Sequence, residues 1–155
     1  MISAIKTFFN QYMQPEADSQ PASIETRLKV ATVALLLETA RADFDVQEQE
    51  LQAVASHAQQ FFDLDADETE QLVSLAEQEA LNATSYYGFT SLINSEYTPD
   101  EKVLIIEFMW RVAYADNVLE KYEEALVRKI SELIYVPHSA FIATKLRVKA
   151  SLGIE

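Results

Sequence analysis

The sequence predicts an all-α fold, a bundle of seven to eight helices built on an internal helix–turn–helix repeat. About half of the 155 residues are apolar and only 2 are glycine, a composition that suits helices better than turn-rich β folds. Two segments that lie 73 residues apart also match, with identical residues at the aligned positions 29/102, 30/103, 40/113, 42/115, 43/116, 50/123 and 54/127. This self-similarity predicts a domain with pseudo-twofold symmetry, in which 24–62 superposes on 99–135 and the two leading helices pack antiparallel at the centre.

The amino-terminal part of the chain predicts one short helix and a connector. Residues 1–14 are expected to form an N-terminal amphipathic helix, because residues 2–13 place apolar side chains at spacings of three and four. This helix either packs onto its own domain or docks on a partner or a membrane. Residues 15–22 contain two prolines and small polar residues and predict a linker, and residues 23–152 then form the helical domain.

The first half of the domain predicts four helical segments. Ser23 is a candidate N-cap for a helix over 24–42, which has no polar face and is therefore expected to be central. Asp45 and Asp65 are each followed by a glutamate three residues later, which predicts helices over 46–62 and from 65 to about 83. A short helical stretch is expected over 86–93.

The second half begins with the clearest helix start in the sequence. Thr98-Pro99-Asp100-Glu101 combines a threonine cap, a proline at the first helical position and a glutamate at the third. The helix that it opens ends near 114, is apolar nearly all round and is also expected to be central. Asn117 and Glu120 predict a following helix to about 135, and Pro137 predicts the start of the last one.

The charge of the chain is strongly acidic and unevenly placed. The net charge is −13, with fifteen acids and one base between positions 30 and 101, whereas Lys145, Arg147 and Lys149 have no neighbouring acid in the sequence before Glu155. Such a surface repels nucleic-acid backbones, so no nucleic-acid partner is expected. It suits cations or a basic protein partner on the acidic face, or serves only to keep the protein dispersed.

Membrane spans and secretion signals are not evident in the sequence. No apolar run approaches the roughly 18–20 residues that a spanning helix needs, and residues 1–14 lack the features of a signal peptide. A cytoplasmic protein with at most peripheral membrane association is expected. The chain has no cysteine, which excludes disulfides, thiolate chemistry and zinc–sulfur sites.

Two glutamates stand where their helices are otherwise apolar. Glu50 falls within the apolar stripe of the 46–62 helix, and Glu123 occupies the same place in the second copy. A carboxylate aimed toward a core must find charge or hydrogen bonds, or lose its ionised form. Asp43 and Asp116 precede these glutamates by seven residues, and the intervening turn can bring each aspartate near its glutamate.

Three arrangements satisfy such acid pairs, and the sequence leaves them open. Free N–H groups at a helix start can bind the carboxylates. Alternatively, Asp43, Asp45, Glu50, Asp116 and Glu123 are candidate ligands of a divalent cation, namely calcium, magnesium or manganese, because these ions prefer oxygen donors. In the third arrangement, Lys29 and Lys102 pair with the acids across the antiparallel central helices.

Catalytic chemistry has little support, and no catalytic residue is assigned. The Asp43–Glu50 region lacks the glycine and the span of an EF-hand loop, and neither histidine follows a glutamate at the spacing found in di-iron bundles. A metal hydrolase that uses these carboxylates remains a third candidate. A histidine close to the acid cluster in the folded chain would favour it.

The repeated motif resembles the TerB family of tellurite-resistance proteins and is similar to the amino-terminal domain of DjlA-type co-chaperones. It reads Ala42-Asp43-Phe44-Asp45-Val46…Glu50 in one copy and Ala115-Asp116-Asn117-Val118-Leu119…Glu123 in the other. The family often has glycine directly after the aspartate, where Phe44 and Asn117 stand here; asparagine tolerates a left-handed backbone better than phenylalanine does.

This resemblance implies a seven-helix bundle with a candidate metal-binding acidic surface, a role in tellurite-type stress responses, and no catalytic activity. The first interpretation is therefore a non-enzymatic acidic helical module that binds a divalent cation or a basic partner. The alternative is an interaction or membrane-associated adaptor domain of the co-chaperone type. In that alternative the acid pairs are structural and the N-terminal helix is the docking element.

Overall fold

The computed structural model describes residues 21–42, 48–62, 67, 70, 71, 74, 88–114 and 121–154, and the regular structure among them is helical throughout. The all-α prediction is therefore confirmed for this part of the chain. The helices whose bounds the structure defines are α1 (Pro21–Ala42), α2 (Glu48–Phe62), α3 (Gly88–Glu96), α4 (Pro99–Ala113), α5 (Lys121–Leu133) and α6 (His138–Ser151). The predicted N-terminal helix over 1–14 and the connector up to residue 20 lie outside the described residues.

Helix α1 is the central helix of the fold, as its apolar sequence predicts. Every side chain from Val30 to Ala40 is buried, so this part of the helix has no face in contact with water. The helix begins at Pro21 rather than after Ser23. Proline fits the first turn of a helix because its fixed φ is helical and its missing N–H would have no partner there.

Helix α4 is the second central helix, and it starts as the sequence predicts. The Thr98 hydroxyl accepts a hydrogen bond from the Glu101 backbone N–H (3.2 Å), and the Glu101 carboxylate accepts one from the Thr98 N–H (2.8 Å). This reciprocal capping box, with Pro99 at the first helical position, satisfies donors that a helix start leaves free. Seven residues of the helix are buried, among them Trp110, whose indole N–H donates to the Phe141 carbonyl of α6 at 3.2 Å.

The packing pattern agrees with the expected repeat. Helices α1 and α4 pack against each other, and α2 and α5 each pack against both of them. A pseudo-twofold operation that exchanged α1 with α4 and α2 with α5 would preserve these contacts. The symmetry itself, and the antiparallel direction of the two central helices, stay predictions.

Helices α5 and α6 end in the same type of turn with different residues at the critical position. After α5, Tyr135 N–H donates to the Glu132 carbonyl and Val136 N–H to the Ser131 carbonyl; after α6, Gly153 and Ile154 make the equivalent bonds to Ala150 and Lys149. This double bond pattern is a Schellman motif, whose turn residue has a positive φ. Gly153 has φ 73 and Tyr135 has φ 62, so a tyrosine occupies a conformation that normally favours glycine.

The remaining predicted segments agree in part with the structure. The short helix expected over 86–93 is observed as α3, Gly88–Glu96. In the segment expected to be helical from 65 to about 83, residues 67, 70, 71 and 74 are helical, and all four are exposed, as its polar face predicts. None of the helices in the described part of the chain has both the length and the apolar character that a membrane span requires.

Candidate functional site

Glu123 is a buried carboxylate at the start of α5. It belongs to the first turn of this helix and is only 5% exposed, among the buried side chains of Leu126, Val127 and Ile130. The prediction that it is largely buried is therefore confirmed. The positive end of the helix dipole favours a carboxylate in the first turn, so the chain positions this charge where the backbone helps to hold it.

His57 of α2 lies beside this carboxylate. Its Nδ1 is 3.8 Å from Glu123 Oε2, and the two side chains are 21% and 6% exposed. That distance exceeds hydrogen-bond length, but it makes an ion pair when the imidazole is protonated. The sequence gives no sign of this contact, because positions 57 and 123 are brought together only by the packing around the central helices.

The other predicted acids contribute less to the observed site. Asp43, Asp45 and Asp116 lie outside the described residues, and so does the side chain of Glu50. Position 50 itself is helical and stands seven residues before His57, which places the two positions on the same face of α2. The pairing of Asp43 with Glu50 and of Asp116 with Glu123 stays a prediction.

The observed pair supplies one oxygen donor and one nitrogen donor to any cation. No cluster of three or more potential metal ligands occurs within the described part of the chain. Two donors held 3.8 Å apart would enclose an angle of about 130° at an ion if both bonds were about 2.1 Å long. Both side chains would therefore need a small shift to reach tetrahedral or octahedral angles, and further ligands would have to come from elsewhere.

The two lysines that the repeat suggested as partners of the acids lie in different surroundings. The ammonium of Lys102 is 6.0 Å from the centre of the Tyr135 ring, at the end of α5. Lys29 is half-buried near the start of α1. Pairing of Lys29 and Lys102 with Asp116 and Asp43 involves residues outside the described range and stays a prediction.

A second buried carboxylate, Glu38, was not singled out from the sequence. It is 2% exposed near the end of α1, and both of its oxygens accept the Phe89 N–H at 3.1 Å. Phe89 is the second residue of α3, so Glu38 caps that helix from another element and satisfies a donor that its start leaves free. A glutamate directly after the apolar run 30–37 was the only available sign, because its partner lies 51 positions away.

Two basic residues near the carboxyl end pair with acids of neighbouring helices. Lys145 binds Glu124 at 2.7 Å, and Arg147 pairs with Glu107 of α4. The hydrogen bond from Lys145 lowers the pKa of Glu124 below its ordinary value of 4.5, and Arg128 contributes in the same direction. Two of the three bases that have no neighbouring acid in the sequence, Lys145 and Arg147, are therefore paired with acids in the fold, and these pairs link α6 to α5 and α4.

A comparison with protein families identifies the chain. The family model described as tellurite resistance protein TerB matches residues 29–146, which include both copies of the repeated motif. No curated protein and no solved structure matches the sequence significantly. A relation to co-chaperone domains stays a prediction. Because the match covers most of the chain and the fold is helical as expected, the protein belongs to the TerB family.

Proposed function

We propose that this protein is a non-catalytic, acidic helical module of a tellurite-type stress response that binds a divalent cation at the start of α5. Glu123 is the central ligand, and the single observation that supports this role is its buried carboxylate with His57 Nδ1 3.8 Å away. The candidate additional ligands are Asp116, seven positions before Glu123 in the sequence, and Glu50, whose position in α2 is on the same helix face as that of His57.

The burial of the Glu123 carboxylate has an energetic cost that the surrounding groups must offset. A carboxylate removed from water is destabilised unless charge or hydrogen bonds compensate for the lost hydration. The helix dipole supplies part of this compensation, and a cation would supply a full opposite charge. A bound cation would therefore add to the favourable interactions that this buried carboxylate already has at the helix start.

The imidazole changes which ions are expected. Oxygen donors alone point to calcium, magnesium or manganese. Imidazole nitrogen is a good ligand for transition metals and a poor one for the hard ions calcium and magnesium. Manganese accepts both donor types, and we propose it ahead of calcium and magnesium.

His57 also meets the condition that would favour a metal hydrolase. However, the His57 and Glu123 side chains are 21% and 6% exposed, which leaves little access for a substrate at their reacting atoms. A hydrolase needs a nucleophile position that a substrate can reach. We therefore propose binding without catalysis at this pair.

Thermal unfolding with and without each ion tests the proposal. Binding to the folded state alone should stabilise the protein by about 2.7 kcal/mol at a hundredfold excess of ion over its dissociation constant. The double variant Asp116→Asn/Glu123→Gln should abolish this shift. Glu124→Gln is the matched control, because Glu124 is the next residue of the same helix but pairs with Lys145, and its metal-induced shift should equal that of the wild type.

The second candidate is an interaction module in which the acid pair is structural. The contact with His57 favours it in one respect, since a protonated imidazole neutralises Glu123 without any ion. In this case the melting temperature is indifferent to calcium, magnesium and manganese, while His57→Gln and Glu123→Gln each destabilise the metal-free protein. That combination of results would exclude the metal site and leave the interaction module.

A further inference from the structure

A cavity of about 310 Å³ opens where the start of α4 meets the turn between α5 and α6. It lies away from Glu123, because Glu123 is at the beginning of α5 and the cavity is at its end. The walls are mostly apolar and include Pro99, Val103, Val136 and Pro137. Its volume is at the lower end of the range for small-molecule sites.

Tyr135 forms part of this wall at a conformational cost. It has φ 62 and is 79% exposed, so its ring recovers little of that cost through burial. The equivalent position after α6 is Gly153, with φ 73, which shows that the same turn forms in this chain without a side chain. Backbone strain of this kind, retained beside a cavity, points to a use for the tyrosine ring.

Lys102 brings a positive charge to the same cavity. Its side chain is half-buried, and its ammonium faces the Tyr135 ring at 6.0 Å. Among the described residues no carboxylate lies within ion-pair distance of Lys102, whereas Lys145 and Arg147 have such partners. A cation that lies beside apolar walls and forms no ion pair with the described residues is complementary to an anionic group on an apolar ligand.

We propose that this cavity binds an apolar monocarboxylate, with the hydrocarbon part against the prolines and the Tyr135 ring and the carboxylate on Lys102. Asp100 also lines the cavity, but its side chain is exposed, whereas that of Lys102 is half-buried. Water therefore screens the charge of Asp100 more effectively than that of Lys102. The Asp100 carboxylate repels a second negative charge on the ligand, so the cavity should bind monocarboxylates more tightly than dicarboxylates. The site does not depend on the metal proposal.

Isothermal titration calorimetry with 3-phenylpropionate and 4-methylpentanoate tests this site. Ligands with about ten non-hydrogen atoms are expected to bind in the millimolar to micromolar range. The neutral amide of each acid should bind at least about tenfold more weakly, because it loses the charge-assisted bond to Lys102. Phenylsuccinate, a dicarboxylate, should also bind more weakly than 3-phenylpropionate.

Titration with a tripeptide distinguishes two possible ligands of this chemistry, a protein carboxyl terminus and a small free acid. The tripeptide Ala-Ala-Phe presents an apolar side chain and a carboxylate when its end is free, and lacks the charge when it is amidated. Tighter binding of the free tripeptide than of 3-phenylpropionate would identify a protein carboxyl terminus as the ligand. Tighter binding of the small acid would identify a metabolite-sized ligand.

Three variants and one control assign the interaction to this cavity. Lys102→Met keeps the aliphatic stem and should weaken acid binding at least about tenfold, while leaving the weak binding of the amide unchanged. Tyr135→Gly should lose binding although the turn still forms, and Tyr135→Phe, which keeps the ring, should retain it. Lys149→Met, at the far end of α6, is the matched control and should bind like the wild type.

The proposal is overturned if neither acid nor the free tripeptide binds saturably up to about 10 mM. It is equally overturned if acid and amide bind alike, or if Lys102→Met binds the acid as the wild type does. Because Tyr135→Gly removes strain, loss of binding in that variant cannot be ascribed to unfolding when its melting temperature is at or above that of the wild type.

Discussion

Replacing Tyr135 with glycine is expected to stabilise the fold, although it removes a large side chain. Tyr135 holds φ 62 in the turn after α5. A side chain in this left-handed region costs about 1–2 kcal/mol, because Cβ crowds the following carbonyl oxygen. Glycine has no Cβ, so the substitution removes this cost, and 79% exposure of the ring means that little buried contact is lost.

Two smaller effects reduce the gain. Glycine makes the unfolded chain more flexible, which reduces the gain in free energy of unfolding by about 0.4–1 kcal/mol. The cation–π contact with Lys102, at 6.0 Å from the ring centre, lies at the outer limit of such contacts and contributes at most about 0.5 kcal/mol. The expected net stabilisation is therefore about 0.5 kcal/mol, which corresponds to a rise in Tm of about 1–2 °C for a chain of this size.

Tyr135→Ala separates backbone strain from loss of the ring. Alanine also removes the ring and its contact with Lys102, but it keeps the Cβ and the crowding. The glycine variant should therefore exceed the alanine variant in free energy of unfolding by about 1 kcal/mol. Urea unfolding, followed by far-ultraviolet circular dichroism and by the fluorescence of Trp110, measures this difference.

The relative stability of the glycine and alanine variants can also contradict the presence of backbone strain at Tyr135. If Tyr135→Gly is no more stable than Tyr135→Ala, the turn does not hold a positive φ at position 135 in solution. The strain would then be absent, and it could not support a functional use of the tyrosine. Equal slopes of the unfolding free energy against urea in all variants are required for this conclusion, since a changed slope would indicate a different unfolded state.

Three further predictions concern the acids and the helix start. Glu123→Gln should lower the free energy of unfolding by about 1–3 kcal/mol in urea titrations, and an unchanged value would show that the buried charge has no specific partner. Thr98→Ala should lower the free energy of unfolding by about 1 kcal/mol in the same assay, because it removes the hydroxyl that accepts the Glu101 N–H. The contribution of Glu124 to stability depends on pH, because Lys145 lowers the pKa of Glu124 in the folded protein below 4.5. The stabilisation by the Glu124–Lys145 pair is therefore complete above pH 4.5 and is lost as the pH falls through the pKa of the folded protein. The difference in stability between Glu124→Gln and the wild type should therefore shrink in acid, and a difference that is constant down to about pH 3 would contradict the pairing.

Features that depend on local or periodic signals could be predicted from the amino-acid sequence. The capping box at Thr98 is fixed by four consecutive residues, and the structure reproduces both of its hydrogen bonds. The central places of α1 and α4 follow from the lack of a polar face, and the burial of Glu123 follows from its place in an apolar stripe. The repeated motif also sufficed for the family, because two copies in register are far more specific than one.

Contacts between residues that are far apart in the chain could not be predicted in this way and become apparent only in the fold. His57 reaches Glu123, and Glu38 caps α3 at Phe89, because separate helices pack on a common core, and no spacing along the chain encodes those distances. The left-handed turn at Tyr135 could not be predicted from the sequence either, because tyrosine disfavours that conformation and local propensity predicts a different backbone. Packing of Val136 into the core and the two hydrogen bonds of the turn override this preference, which is why the cavity with Lys102 becomes visible only in the folded chain.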